Sequence, residues 1–410
     1  MLIVIQLGLL VGLGLLLFYL AFLSLLAFIG RRPTPILPAR LRRFAVVVPA
    51  HNEELVIEKT LRSLFAVEYP RESFDVIVVA DNCRDRTADI ARSLGAIVYE
   101  RQNPALRGKG YALRWCFDRL LHPQPEYDAL VVIDADSVVS GNFLAAMNVY
   151  LDKGARVIQC SDMVEPQPGA WNAEVTRIGF TLYNYVRPLG RRMLGCPTGL
   201  RGNGMCFTPD VLRQVPWQAY SLTEDLEYGL ELLLRGIDVV FAPEARVMAT
   251  MPQDVKNAET QRARWEAGRF PVIRKYAGRL LAAAISRPSF KAFDAWVDLV
   301  TPPFVNMLVA VLTMLGINLL LWAVGVEETG RFVWLWLALL GIGVVHVVVG
   351  LYAAGADRVM YRAFVHFPRY ALWKILLYTS LFRRRQTQEW VRTAREQAIA
   401  RPAADNPIKQ

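Results

Sequence analysis

Residues 129–136 read ALVVIDAD: five apolar positions from Ala129 to Ile133, then Asp134, Ala135 and Asp136. A short unbroken apolar run is the pattern of a strand buried on both faces, as in a parallel sheet lying between helices. The same pattern recurs at Phe44 to Val48, Phe74 to Val79, Ala96 to Tyr99 and Val157 to Cys160. Between these runs, Glu53 to Phe65, Asp85 to Leu94, Gly110 to Leu121 and Asn142 to Leu151 carry helical spacing, with Gly95 where a helix C-terminus wants a glycine. Alternating strands and helices predict an α/β fold with a mostly parallel sheet covered on both faces. In such sheets ligands bind beyond the carboxyl ends of the strands. The polar residues gather there: His51, Asn52 and Glu53 after the first strand, Asp81 after the second, and Asp134 and Asp136 after the fourth.

The flanks are of another kind. Of the 410 residues 54% are hydrophobic and 20% charged, and Leu2 to Phe28 holds no charge at all. About 20 apolar residues in a helix already span a bilayer core. A cleaved signal peptide would show a basic start and a shorter apolar core, so an uncleaved anchor is expected. Pro302 to Val324 and Phe332 to Tyr352 form two more apolar stretches joined by the acidic link Gly325 to Arg331, and they read as a transmembrane hairpin. Arg31, Arg32, Arg40, Arg42 and Arg43 follow the first span, and Arg383, Arg384 and Arg385 follow the last. Basic residues collect on the cytoplasmic side, which places the N-terminus outside an inner membrane and residues 31–300 inside the cell.

The expected organisation is an anchor at 1–30, a catalytic domain at 31–250, interfacial helices at 251–300, the hairpin at 301–355, and an interfacial helix with a tail at 356–410. Asn257 to Tyr276, Leu280 to Phe293 and Ala363 to Phe382 mix basic with aromatic and aliphatic residues. That composition suits helices on a lipid surface, or ordinary amphipathic core helices. The formal net charge of +10 lacks the interleaved base-stacking aromatics of a nucleic-acid binder, so no nucleic-acid partner is expected. Cys83, Cys116, Cys160, Cys196 and Cys206 show no Cys-x-x-Cys pair and read as reduced thiols.

Carboxylates at a strand edge can hold a nucleoside diphosphate only through a bridging cation, and Mg²⁺ or Mn²⁺ suits a few carboxylates plus phosphate oxygens. Asp134 and Asp136 fit that use, although acidic residues also cap turns. Thr223, Glu224 and Asp225 open a helix expected to run to Arg235 and to stop at Gly236. They serve either as capping acids at the positive end of the dipole or as the carboxylate that takes the acceptor proton in sugar transfer. Gln261, Arg264 and Trp265 in QRARW share one helix face, as packing residues or as a site for a hydroxyl, a diphosphate and a sugar face.

Taken in order, Asp81, the Asp134 to Asp136 triplet, Thr223 to Asp225 and QRARW resemble the signature of membrane-embedded family 2 glycosyltransferases, among them cellulose, chitin, hyaluronan and poly-N-acetylglucosamine synthases and ceramide glucosyltransferases. WVRTAR at Trp390 to Arg395 is similar to a cytoplasmic motif of the synthases. The resemblance implies a GT-A fold, an inverting hexosyl or N-acetylhexosaminyl transfer and a nucleotide-sugar donor, most often a UDP-sugar. It implies that Asp81 contacts the base, that His51, Asn52, Glu53 and Lys109 line the nucleotide pocket, and that Asp136 binds the metal with Asp134 beside it. Asp225 would be the general base with Glu224 as its neighbour, and Gln261, Arg264 and Trp265 would hold the diphosphate and the acceptor end. The run LRGNGMCF, Leu200 to Phe207, would be the acceptor loop, with Gly202 and Gly204 allowing close backbone approach. Three spans are fewer than the larger polysaccharide synthases have, and no cyclic-dinucleotide-binding domain is expected. The implied acceptor is therefore a saccharide or a lipid, with membrane lipids and, for an exported product, secretion subunits as further partners. A non-catalytic envelope scaffold is the alternative of a different class.

Overall fold

The computed structural model describes residues 2–31, 38–122, 126–166, 171–250, 255–367 and 369–371, with backbone only for Leu2 and residues 255–266. Helix α1 (Leu2–Ile29) precedes β1 (Phe44–Ala50), α2 (Ile57–Phe65), β2 (Phe74–Asp81), α3 (Thr87–Ser93), β3 (Ile97–Arg101) and α4 (Lys109–Leu121). β4 (Ala129–Val132), β5 (Ser137–Val139), α5 (Phe143–Asp152) and β6 (Val157–Val164) complete the alternating part. α6 (Trp171–Phe180) continues through a π-helical segment, Thr181–Val186, into α7 (Arg187–Met193). After it come β7 (Met205–Phe207), α8 (Pro209–Gln214), α9 (Glu224–Leu234), β8 (Val239–Ala249), α10 (Val255–Ser286), α11 (Phe290–Val300), α12 (Phe304–Ala323) and α13 (Thr329–Ala353).

One eight-stranded sheet runs β3-β2-β1-β4-β7-β6-β8-β5. Its β1 shows why the strands read as unbroken apolar runs. Phe44, Val46 and Val48 pack on one face with Ile57, Leu61 and Leu64 of α2, while Ala45 and Val47 pack on the other with Leu113 and Phe117 of α4. Four of the seven strand pairings are parallel, and β7 lies antiparallel to both β4 and β6, as β5 does to β8. The sheet is thus mixed and mostly parallel, as the alternating strands and helices predicted. In β8 the pairing jumps from Cys160 opposite Ala242 to Ser161 opposite Arg246, so Pro243 falls in a bulge and needs no ladder hydrogen bond.

Among the described residues three helices, α1, α12 and α13, are long and apolar enough to cross a membrane. Leu17 and Leu20 of α1 pack with Val311 of α12 and Trp336 of α13, and Ser24 Oγ lies 2.7 Å from His346 Nδ1. α1 also lies directly on α7, where a Cβ at Gly190 would come within 2.3 Å of the Leu23 carbonyl oxygen. Beside that contact is a buried ion network. Arg191 Nε donates to Asp294 Oδ2 (2.7 Å), Arg191 Nη1 to Asp298 Oδ2 (3.0 Å) and Arg187 Nη1 to Asp298 Oδ1 (3.0 Å). Tyr19 of α1 donates its hydroxyl to Asp294 Oδ1 at 2.8 Å. Burial acts to raise the Asp298 pKa, but Arg191 and Arg187 outweigh it and hold the carboxyl well below the usual range.

α10 is one continuous helix where the sequence suggested two, ending and restarting around residues 276–280. Its packing explains the continuity: Val272, Tyr276 and Leu280 are buried with Leu230 of α9 and Leu299 of α11. Lys275 Nζ reaches Glu227 Oε1 at 2.6 Å and Arg279 Nη2 reaches Glu231 Oε2 at 3.2 Å, so these basic residues meet α9 carboxylates. The expected helix Ala363 to Phe382 falls for the most part outside the described residues, as do Arg32, Arg383 to Arg385 and WVRTAR entirely.

Asp298 serves two buried arginines and Asp294 one. Asp298→Ala is therefore expected to cost about 3–5 kcal/mol, the usual loss when one partner of a buried pair is removed, and Asp294→Ala clearly less. Thermal unfolding in neutral detergent measures both, and equal losses would contradict this ranking.

Candidate active site

Asp134 follows β4 at the carboxyl edge of the sheet. Its backbone N–H donates to Asn203 Oδ1 (3.1 Å), and Asn203 Nδ2 donates to Ser137 Oγ (2.9 Å) and to Asp162 Oδ1 (3.4 Å). The buried Asn203, in the loop before β7, thereby ties the Asp134 to Asp136 turn to β6. Lys109, the first residue of α4, donates from Nζ to Asp134 Oδ1 (2.5 Å) and to the Gly202 carbonyl (2.6 Å), and lies 3.9 Å from Glu224 Oε1. Burial disfavours its charge, but Asp134 and Glu224 more than offset this and raise its pKa above the usual lysine value.

Glu224 and Asp225 occupy the first turn of α9. Gly202 has φ +85°, and a Cβ there would stand 3.2 Å from Asp225 Oδ2, so the loop can pass the carboxylate only as glycine. Burial raises Glu224 to about 7, with Lys109 opposing and Asp225 adding to the rise. Burial raises Asp225 as well, against the Leu226 N–H, Lys109 and Arg201. Asp162, on the sheet behind Asp134, is pushed well above the carboxylate range by burial and by the Asp134 charge.

Lys109, Asp134, Asp136, Gly202, Glu224 and Asp225 line one cavity of about 1140 Å³. From these polar groups its wall continues through Tyr183, Arg201 and Arg269 to Phe304, His346 and Phe364. Gly204 is not part of that wall and packs beside Cys160 of β6. His51, Asn52, Glu53 and Asp81 are brought together at the neighbouring strand ends and do not line the cavity either. Their loops interlock. His51 Nδ1 lies 2.6 Å from the Asp81 carbonyl oxygen, Asn52 Oδ1 accepts from the Arg84 N–H (2.7 Å), and Asn82 Oδ1 accepts from the Asn103 N–H (2.8 Å). Asn52 and Asn82 sit at φ +55° and +52°, a left-handed conformation that asparagine tolerates better than most residues. Asp81 is buried in an ion pair with Arg101 at 2.5 Å. The side chains of Gln261, Arg264 and Trp265 lie outside the described residues.

Five residues of this region were not singled out from the sequence. Asp162 had a readable signal, a carboxylate within the apolar strand VIQCSDMV. Arg201 and Asn203 stand inside LRGNGMCF, where only the glycines drew notice. Tyr183 and Arg269 carry no local signal.

A sheet of this order with paired carboxylates at its edge defines a GT-A-type nucleotide-binding fold. The mannosyltransferase PcManGT from Pyrobaculum calidifontis, solved in complex with GDP-Man and Mn²⁺, shares the fold with a TM-score of 0.51 at 16% identity, over 84% of this chain and 98% of that one. Residues 41–268 match the family model Glycosyltransferase like family 2, and the chain belongs to that family. It is 26% identical over 238 residues to a beta-monoglucosyldiacylglycerol synthase of Trichormus variabilis, covering 55% of this chain and 48% of the relative. It is 23% identical over 242 residues to the poly-beta-1,6-N-acetyl-D-glucosamine synthase of Staphylococcus epidermidis, covering 55% and 54%. The chain spans about half to three fifths of the length of the curated relatives it matches.

Lys109 is the cation that opposes burial at Glu224 and Asp225. Lys109→Met is expected to move the Glu224 titration above about 7 and that of Asp225 upward with it, and to shift the acid limb of turnover to higher pH. Infrared titration of the carboxyl band, alongside the pH profile of turnover, would show whether the limb stays where it is in the wild type.

Proposed function

We propose that this glycosyltransferase is inverting and cation-assisted, and that it moves a sugar from a nucleoside-diphosphate donor to a lipid acceptor drawn from the membrane. The observation that carries this reading is the continuity of the cavity: its polar part holds Lys109, Asp134, Asp136, Glu224 and Asp225, and its apolar part is walled by Phe304, Val347, Phe364 and Phe367 beside the apolar helices. A hydrophilic saccharide gains little from such a wall, whereas an acyl or prenyl chain gains roughly 0.8 kcal/mol per buried CH₂. The relation to a glycolipid synthase supports the same choice. With the N-terminus outside, the donor reaches the strand edge from the cytoplasm and the acceptor arrives along α12 and α13.

In the proposed reaction an acceptor hydroxyl oxygen forms the new bond to the anomeric carbon. The bond from that carbon to the diphosphate breaks with its electron pair leaving on the diphosphate, and the hydroxyl proton passes to Asp225. Burial suits Asp225 to this work, because a carboxylate raised above its ordinary range is a stronger base. Lys109 holds Asp134 in place and keeps net charge low beside Glu224. Asp134 and Asp136 are two half-buried carboxylates on one turn, and no cluster of three His, Cys, Asp or Glu side chains that could hold a metal forms among the described residues. Such a sparse donor set fits Mg²⁺ or Mn²⁺ completed by phosphate oxygens rather than a closed protein cage. When bound there, the cation would screen the diphosphate from the carboxylates and stabilise it as it departs.

Asp225→Asn is expected to lower the rate by roughly 10² to 10⁴ while donor binding survives, with Glu224→Gln losing less. A folded Asp225→Asn variant that transfers sugar at near wild-type rate would move the base elsewhere. Asp136→Ala should abolish nucleoside-diphosphate binding with Mn²⁺ by calorimetry, and unchanged affinity would remove Asp136 from the metal site. Sizing the product made from a labelled donor tests the acceptor: a lipid bearing one or a few sugars is expected, and a long soluble glycan would return the chain to the polysaccharide reading.

A further inference from the structure

Part of the cavity wall is basic, with Arg187, Arg201 and Arg269, as the part around Asp134 and Asp225 is acidic. Arg187 and Arg191 are paired with Asp298 and Asp294. Arg201 and Arg269 also line the cavity, yet neither forms a salt bridge within 4.0 Å among the described residues. Both still lie close enough to act on the same Asp298. Four arginines therefore act on Asp298, Arg187 and Arg191 buried and ion-paired, Arg201 and Arg269 half-buried and without a carboxylate in salt-bridge contact among the described residues. The next carboxylate that feels Arg201 is Asp225, itself raised by burial.

The two arginines are held rigidly but are not saturated. Arg269 Nη2 donates to the carbonyls of Asp298 (3.0 Å), Leu299 (2.8 Å) and Thr301 (3.0 Å), where α11 ends and shortly before Phe304 begins α12. Arg201 lies over the Tyr183 ring, 4.1 Å from its centroid, and reaches the Thr198 carbonyl at 3.5 Å, while its Nε is buried with no hydrogen-bond partner. Tyr183 belongs to the π-helical segment, a local departure frequent at functional sites. Although burial opposes it, Arg201 and Arg269 hold the Tyr183 hydroxyl below its ordinary value.

We infer that Arg201 and Arg269 bind a phosphate of the acceptor, so that the acceptor is a phosphate-bearing lipid with its tail against Phe304 and Phe364. This rests on the lipid-acceptor reading above. Guanidinium groups match phosphate oxygens with paired N–H donors, and such charge-assisted bonds are among the stronger ones. A neutral headgroup would leave these two half-buried guanidinium groups without a charged partner. The donor's diphosphate has partners of its own beside Asp134 and Asp136. Arg269 is tethered at the start of α12, where the headgroup of a lipid lying along that helix would arrive.

The test titrates the purified full-length chain in neutral detergent, by native mass spectrometry, with phosphatidylglycerol, phosphatidylinositol and a diacylglycerol of matched chains, all three of which carry an acceptor hydroxyl. At least one phosphate-bearing lipid is expected to bind about tenfold or more tighter than the diacylglycerol, in line with one or two charge-assisted hydrogen bonds. The tighter of the two identifies the source of the phosphate. Arg201→Gln should erase that gap, Arg201→Lys should keep part of it, and UDP binding with Mn²⁺ should stay as in the wild type. Diacylglycerol binding as tightly as both others would overturn the phosphate assignment and leave the lipid reading standing. A loss of UDP affinity in Arg201→Gln equal to the loss of lipid affinity would assign the arginines to the donor instead. If no lipid binds and the product is a soluble glycan, both readings fall together. The wild-type comparison decides the matter even where the glutamine variant does not fold.

Discussion

Asp298 is a buried carboxylate that exists as a charge only because Arg187 and Arg191 stand on either side of it. Around this group the two halves of the molecule are joined. Arg187 and Arg191 belong to α7, which continues from the helix that follows β6, while Asp294 and Asp298 belong to α11, which leads into the apolar helices α12 and α13. Tyr19 brings in α1 through Asp294. Charges in such a place are worth little as net stability but are costly to separate, so they fix one arrangement and penalise others. The cavity lies between the parts that this network holds, and its shape depends on their staying in register.

Within the cavity the same physics operates with the opposite sign of excess. Asp134, Glu224 and Asp225 converge on Lys109, a single cation that cannot neutralise all three. Burial does the rest by pushing both α9 carboxyls upward. A site with crowded acids at one end and, at the other, arginines without salt-bridge partners among the described residues is polarised along its length.

Much of this was legible in residue patterns, for identifiable reasons. The strands around Val46, Ile77 and Val131 are buried on both faces, so they could be nothing but continuous apolar runs, and the acids at their ends stood out by contrast. The α9 start at Glu224 and its stop before Gly236, at φ +75°, follow from dipole and glycine chemistry. β7 and β5 are three residues each and owe their existence to partners on both sides or to β8, which no local pattern encodes. β8 is interrupted by Pro243, which by itself argues against a strand. The Arg201, Arg269 and Tyr183 grouping escaped notice because its members come from three separate segments and are ordinary residues in each. The single helix across residues 255–286 was hidden for a related reason: Gly278 suggests a break, and only burial of Tyr276 and Leu280 against other helices overrides it.

The contacts of α1 also bear on the order in which the chain acquires its structure. Tyr19 waits for a partner 275 residues further on, and Ser24 for one 322 residues further on. At ordinary rates of synthesis that separation is on the order of half a minute. During this interval the first helix has neither Asp294 nor His346 to hold. Lipid is then its natural environment, and the α/β sheet can form on the growing chain before the helices close over it. The contacts that join α1 to α11 and α13 can form only after those later segments have been made, so they come later in synthesis than the sheet.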